Sequence, residues 1–115
     1  MESKSLVEVW RIINNKLQEK KEPYKDMEGI YEFHMLDQPE IIYQLEFQQG
    51  DAFIRAASDK EAGCVLKMKE KYFKQFLAGK LNSTMAFMTG KLKVDGNIGL
   101  ALKLESMLKQ YNFSN

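Results

Sequence analysis

Residues 90–96 read Gly90-Lys91-Leu92-Lys93-Val94-Asp95-Gly96, a stretch in which apolar and charged side chains alternate between two glycines. The period of two predicts a short strand with Leu92 and Val94 on its buried face. Asn97 follows as a candidate cap for a last helix. The apolar residues of that helix recur at helical spacing and share one stripe: Leu100, Leu104, Met107, Leu108 and Tyr111.

The chain upstream of this stretch alternates between helical and strand periods. A helical stripe of Leu6, Val9, Trp10, Ile13 and Leu17 predicts a first helix, which Ser3 or Ser5 caps and Pro23 ends. After Pro23 the period is two, and alternating runs predict strands over 29–36, 43–48, 52–57 and 64–68. The short turns between the first three strands favour an antiparallel meander. Residues 69–77 are predicted to form a helix that stops at Gly79.

These elements predict an α+β fold. Five strands with one apolar face each require a covering layer, so we expect a five-stranded, largely antiparallel sheet with about three helices on one face. The 115 residues are 44% hydrophobic and contain no linker, which predicts a single domain over 1–115. A chain of this size buries about two-thirds of its unfolded surface, enough for one core.

The composition of the chain argues against several classes of partner and site. The formal net charge of +1 gives no electrostatic reason to expect nucleic acid as a partner. A single cysteine, Cys64, excludes an internal disulfide and a multi-cysteine metal site. We find no secretory signal, no apolar stretch of about 18 residues, and no peroxisomal Ser-Lys-Leu at the end, where the chain reads Phe113-Ser114-Asn115. The expected location is the cytoplasm.

No residues combine into a catalytic or metal site. His34, the single histidine, falls on the polar face of its strand beside Glu32, whereas Cys64 faces inward by alternation. A nucleophile–base pair needs both groups on one face, so the sequence predicts no catalytic residue, no metal ligands and no cofactor.

The stretch from Cys64 to Leu108 resembles the second half of the sterol-carrier-protein lipid-transfer domain. In that family a helix ends in Leu-x-Gly, matched here by residues 77–79, and a Gly-Lys-apolar-Lys-apolar-x-Gly strand follows, matched by residues 90–96. The family's final helix, of the Ala-x-x-Leu-x-x-Leu kind, is matched from Ala101 onward. One departure is at residues 63–65, Gly-Cys-Val, where the family's fourth strand often begins near an aspartate.

The resemblance implies an elongated apolar tunnel between sheet and helices that binds fatty acids, acyl-coenzyme A esters, phospholipids or sterols. Residues 85–88, Met-Ala-Phe-Met, support this physically, because an apolar run between turns is expected to lie inside, across one end of the gap. The methionines would add adaptable surface for variable acyl shapes. Taken singly, apolar residues at such spacing are core more often than cavity lining, and the resemblance assigns them to the tunnel only as a set. The predicted tunnel-lining residues are Phe53, Phe73, Phe76, Leu77, Met85, Phe87, Met88, Leu92, Val94, Leu100, Leu104, Met107 and Leu108.

Three hypotheses for function remain open. The first is a lipid or fatty acyl carrier without catalysis of its own; the second is an interaction or regulatory module with the same fold and a filled core. The third is an enzyme subunit whose catalytic groups come from another chain. A basic cluster at Lys67, Lys69, Lys71 and Lys74 indicates a solvated helix face or transient contact with an anionic membrane. The sequence leaves the oligomeric state open.

Overall fold

The computed structural model describes residues 1–113 and contains four α-helices and five strands within them. Ser5 and Asn97 cap the first and last helices through their side chains, as expected. In chain order the elements are α1 (Leu6–Glu19), a 3₁₀ turn (Glu22–Tyr24), β1 (Gly29–Met35), β2 (Gln38–Gln48), β3 (Asp51–Arg55), β4 (Cys64–Met68), α2 (Glu70–Leu77), α3 (Ser83–Met88), β5 (Leu92–Gly96) and α4 (Ile98–Leu108).

The five strands form one mixed sheet in the order β3-β2-β1-β4-β5. The predicted meander is confirmed, because β1 pairs with β2 and β2 with β3, both antiparallel. β4 and β5 are also antiparallel to each other, so the sheet is largely antiparallel as predicted. The exception is β4, which lies parallel to β1 after a crossover through residues 56–63. The crossover places the second half of the chain directly beside the first.

The inner face of the sheet carries the core. Across the central strands Phe33 is in register with Leu66, and Leu66 with Val94, so their side chains share one face. Trp10 of α1 packs onto this face, with its ring centroid 4.8 Å from that of Tyr43, 5.1 Å from Phe33 and 5.3 Å from Phe73. Trp10 therefore anchors the first helix to the sheet, and the same ring also contacts Phe73 of α2.

A polar network on the outer face fastens the crossover to the sheet. The buried Gln44 Nε2 donates hydrogen bonds to Glu32 Oε1 and to the Lys60 carbonyl, each at 2.7 Å. His34 also lies on this face, with Nε2 2.6 Å from Glu32 Oε2, as the alternation predicted.

Within residues 1–113, no helix has the length and hydropathy needed to cross a membrane.

The structure adds one helix that the sequence analysis did not predict. Residues 83–88, expected to be an apolar segment crossing the gap, form the separate helix α3. β2 also begins at Gln38 rather than after the predicted turn at 37–40, since Pro39 is tolerated at the start of a strand.

Gly90, just before β5, and Gly96, the last residue of β5, have different roles. Both have positive φ, +79° at Gly90 and +104° at Gly96, a region that residues with a Cβ rarely adopt. A Cβ at Gly96 would also lie 2.6 Å from the Gly63 carbonyl oxygen on the neighbouring strand, whereas one at Gly90 would meet nothing within 4 Å. Gly96 is therefore required both by its positive φ and by the close approach of the backbone at Gly63. Gly90 is required only by the positive φ of its turn.

We expect Gly96→Ala to lower the free energy of unfolding by more than Gly90→Ala does. Each substitution strains a positive-φ residue at a cost on the order of 1 kcal/mol, but only the first also forces β4 and β5 apart. Urea unfolding followed by the fluorescence of Trp10 measures both. Equal losses would show that β4 and β5 absorb the Cβ without cost.

Candidate lipid-binding site

The candidate site is the apolar gap between the inner face of β4 and β5 and the helices α2 and α4. Nine of the predicted lining residues belong to this core. Val94 and Leu100 are half-buried and pack against it, and seven are at most 5% exposed: Phe73, Phe76, Leu77, Leu92, Leu104, Met107 and Leu108. The structure therefore brings these nine side chains into one apolar cluster, with their contact to a lipid remaining a prediction.

The gap reaches the surface at a small pocket of about 130 Å³ between the C-terminal ends of α2 and α4. Three predicted residues, Phe76, Leu77 and Leu108, line it together with the backbone around Gly79. Ligand pockets typically have volumes of about 300 Å³ or more. At about 130 Å³, the pocket is smaller than a typical site for a drug-sized molecule.

Residues 111–113, the C-terminal cover, form the remaining wall of this pocket. Phe113 is 1% exposed and stacks on Tyr111 at 5.6 Å. The Tyr111 hydroxyl donates to the Lys20 carbonyl, and Lys20 Nζ donates to the Gln110 carbonyl at 3.0 Å. Burial, with a smaller contribution from Tyr24, raises the pKa of Tyr111 to about 12.

The C-terminal cover was not foreseen as a unit. The apolar stripe predicts that Tyr111 belongs to the last helix, but α4 ends at Leu108, so Tyr111 lies beyond it. The sequence pattern does not predict Phe113 as a lining residue. Two aromatic residues just past the end of an amphipathic helix were the available signal in the sequence.

The placement of Phe53 in the gap is wrong. Phe53 of β3 pairs with Glu46 and lies on the outer face, 45% exposed, whereas its neighbour Ala52 is buried on the inner face. Because strand side chains alternate, a shift of one residue in the assumed phase moves every side chain to the opposite face. Phe53 is therefore outside the candidate site.

The expectation that residues 85–88 lie inside is also wrong for three of the four. Met85, Phe87 and Met88 are 60%, 46% and 75% exposed, and only Ala86 is buried. The reason is local: Asn82 Oδ1 accepts from the Met85 N–H at 3.0 Å and starts a helix that turns most of the run outward. α3 packs against β5 and α4 through its other side.

A buried polar contact holds α3 in place. The N–H and the hydroxyl of Ser83 both donate to the Glu105 carboxylate of α4, at 3.1 Å and 2.5 Å. Ser83 is fully buried and Glu105 is 8% exposed. Hydrogen bonds to a charged acceptor are stronger than neutral ones, so this Ser83–Glu105 clamp is a main attachment of a helix that buries little else.

The groups with reactive chemistry do not assemble. Burial raises the pKa of the Cys64 thiol, and Cys64 and His34 lie on opposite faces as predicted. Residues 1–113 contain no group of three His, Cys, Asp or Glu side chains placed to hold a metal ion. The predicted basic cluster is dispersed, because Lys67 pairs with Asp95 at 3.0 Å and Lys74 is buried.

The sequence profile described as the SCP-2 sterol transfer family matches residues 11–109. This chain belongs to that family. Human sterol carrier protein 2 is 36% identical over 106 residues, which cover 89% of this chain and 19% of that protein. Hydroxysteroid dehydrogenase-like protein 2 from Xenopus tropicalis is 35% identical over 112 residues, covering 96% of this chain and 26% of that protein. The chain thus spans about a fifth to a quarter of the length of these curated relatives.

Solved structures agree with the fold. Sterol carrier protein 2 from Yarrowia lipolytica, in its apo form, matches with a TM-score of 0.74 at 25% identity, covering 93% of this chain and 91% of that one. Sterol carrier protein 2 from Aedes aegypti, solved in complex with the C16 fatty acid palmitate, matches with a TM-score of 0.67 at 21% identity, covering 88% and 91%. The resemblance seen in residues 64–108 therefore extends to the architecture of nearly the whole chain.

We expect Glu105→Ala to loosen α3 without unfolding the sheet. The substitution leaves two buried donors of Ser83 without an acceptor, at a cost of about 1–3 kcal/mol in the free energy of unfolding. Trypsin should then cleave faster after Lys80 and Lys91, which flank α3. Glu105→Gln is the control, since its amide oxygen can still accept one of the bonds. Unchanged cleavage in Glu105→Ala would show that the clamp does not hold the helix.

Proposed function

We propose that this chain binds an apolar acyl chain in the gap between sheet and helices and shields it from water during transfer. The pocket beneath the C-terminal cover carries the proposal, because buried apolar walls reach the surface there. Membership of a sterol transfer family supports the ligand class, and the palmitate complex of the Aedes aegypti protein supports an acyl chain in particular.

Burial of the acyl chain alone supplies useful affinity. Each buried methylene contributes about 0.8 kcal/mol, so a sixteen-carbon chain offers on the order of 10 kcal/mol before the costs of association. Such binding needs no polar group inside the gap. At the mouth, Lys109 lines the pocket with its side chain more than half exposed, where an acidic head group could remain in water beside it.

Entry of a ligand requires the C-terminal cover to move. A pocket of about 130 Å³ lies below the range typical of ligand sites, and the buried Phe113 is one of the residues that line it. The cover follows α4 and is joined to α1 through Lys20, so it can swing out while the sheet stays paired. Opening the cover joins the pocket to the space between the α2 and α4 side chains.

The proposed role is that of a carrier without catalysis of its own. Holding a lipid requires no nucleophile, base or metal, and the buried Cys64 and outward-facing His34 serve none of these tasks. The full-length relatives are several times longer than this chain and include a dehydrogenase-like protein. In such a setting the domain would present a lipid to another part of the chain. The cytoplasmic location remains a prediction.

We expect Leu77→Trp to weaken lipid binding about tenfold or more, because the larger ring fills the pocket mouth. Overpacking at this buried position at the edge of the pocket should cost about 1–3 kcal/mol of stability, which a folded protein tolerates. Fluorescent fatty acid titration and native mass spectrometry of gently purified protein measure the bound lipid. Phe53→Ala on the outer face serves as the control and should bind like the original chain.

The same measurements separate the carrier from the alternative module with a filled core. Lipid that co-purifies and is displaced by added fatty acid supports the carrier. A chain that stays empty and takes up no fluorescent fatty acid at any concentration tested would contradict the carrier proposal. Equal binding by the Leu77→Trp variant and the original chain would move the site away from the pocket.

We also expect Tyr111→Phe to speed lipid uptake. The substitution removes the hydroxyl bond to Lys20, which is worth about 1 kcal/mol and corresponds to about a fivefold faster opening. Stopped-flow mixing with a fluorescent fatty acid gives the association rate. Tyr43→Phe, which alters a tyrosine stacked on Trp10 outside the cover, should leave the rate unchanged. A rate unaffected by Tyr111→Phe would assign entry to another opening.

A further inference from the structure

We propose that the α3 surface, formed by Met85, Phe87 and Met88, is a docking surface for a bilayer that contains anionic lipids. These three side chains are 60%, 46% and 75% exposed, although they are among the most apolar in the chain. Scattered single apolar residues on a surface are ordinary, but three on one six-residue helix form a continuous patch.

The fold actively presents this patch. Asn82 caps the start of α3, and at its end the Thr89 hydroxyl donates a hydrogen bond to the Met85 carbonyl at 2.9 Å. The Ser83–Glu105 clamp attaches the helix to α4. Ser83 and Ala86 are the buried residues of α3. Held in this way, the helix keeps its large side chains outside rather than letting them collapse into the gap.

Apolar residues of α4 extend the patch. Ile98 and Leu102 are 36% and 38% exposed and lie four residues apart, so they share one face of the helix. Leu102 precedes Glu105 by one turn, and Glu105 is the residue that faces α3. The exposed apolar surface therefore continues from α3 toward the first turns of α4.

The charges around α3 select the partner. Residues 71–94 contain five lysines and no acidic residue. Lys74 is buried against Glu70, but Lys71, Lys80 and Lys91 are exposed and have no ion pair within residues 1–113. The Nζ atoms of Lys71 and Lys91 lie 5.0 Å and 5.3 Å from the Tyr72 ring centre, which gathers two of these charges beside α2. An apolar patch with a rim of lysines matches an anionic bilayer.

A second copy of the chain fits this surface less well. In a twofold interface each patch would meet its own image, so the lysine rims of the two copies would face each other. Like charges across an interface oppose association. In a bilayer, acyl chains can contact the apolar patch while anionic head groups contact the lysines around it. Flexible methionines also suit a fluid surface.

The location of α3 links docking to the proposed carrier role. The docking proposal itself does not depend on that role. α3 lies between α2 and β5 in the chain and packs on β5 and α4, two elements that bound the gap. Docking through α3 therefore brings the gap to the bilayer surface. Binding to vesicles can be measured on the chain whether or not a lipid occupies the gap.

Flotation with vesicles tests the apolar part of the surface. The full chain should bind vesicles of phosphatidylcholine mixed with phosphatidylserine more tightly than pure phosphatidylcholine. The double substitution Phe87→Ser, Met88→Ser should lower the partition coefficient about tenfold. Phe53→Ser is the matched control, because Phe53 is 45% exposed against 46% for Phe87 and lies on the outer sheet face. Thermal unfolding of each variant confirms that the fold is retained.

The charged part is tested with neighbouring lysines. Lys91→Gln should weaken binding to the anionic vesicles about fivefold, whereas Lys93→Gln, which removes the same charge from the outer face of β5, should have little effect. Added salt should reduce the difference between the two. Equal effects of the two substitutions would show that only net charge matters and would overturn the assignment of a local surface.

Other outcomes separate this inference from the carrier role. Loss of vesicle binding in the Phe53→Ser control, or no vesicle binding by the original chain, overturns the docking surface. A dimer in sedimentation velocity that disappears with Phe87→Ser, Met88→Ser would assign the patch to a second copy instead. Fluorescent fatty acid binding that persists in that double variant shows that the gap works independently, so the carrier proposal stands or fails by its own measurement.

Discussion

The parallel pairing of β1 with β4 is the constraint on which the rest of the structure depends. Phe33 and Leu66 meet in register across this pair, and Trp10 packs on Phe33 from above. The pairing requires a crossover from the edge strand β3 back to the middle of the sheet, which the Gln44 hydrogen bonds hold against the outer face. Once β4 is placed, β5 pairs with it at the edge of the sheet, and α2 and α4 lie on the inner side. The apolar gap is therefore a product of the crossover.

The sequence predicted what depends on local pattern and missed what depends on distant contacts. Alternation located all five strands, and helical stripes located α1, α2 and α4, because each pattern reflects one buried face. The parallel neighbour of β1 has no local signal, since an isolated strand shows which face is buried and not which strand lies beside it. Phe53 shows a second limit. The sequence predicts it on the inner face of the sheet, and only its pairing with Glu46 shows that it lies on the outer face.

α3 shows why apolar composition alone does not predict burial. A strand exposes alternate residues and a helix exposes those turned away from its support, so conformation decides which members of a run go inside. In α3 the support is narrow: Ala86 and Ser83 face α4 and β5, and the larger side chains have no room there. The partner of Ser83 is Glu105, 22 residues away, a contact that no spacing rule in the sequence indicates.

A carrier must keep its core packed when empty and give up part of that packing when loaded. The structure divides these tasks between regions of different chemistry. Around Trp10, stacked aromatic rings unite α1, α2 and the sheet, and their loss would unfold the chain. Around the pocket, the C-terminal cover is held by the hydrogen bond from Tyr111 to the Lys20 carbonyl just after α1 and by the burial of Phe113. The hydrogen bond exchanges with water at small net cost, and exposing Phe113 does not disturb the stacked rings around Trp10. Opening at the pocket can therefore occur while the aromatic core remains intact, which a transferable cargo requires.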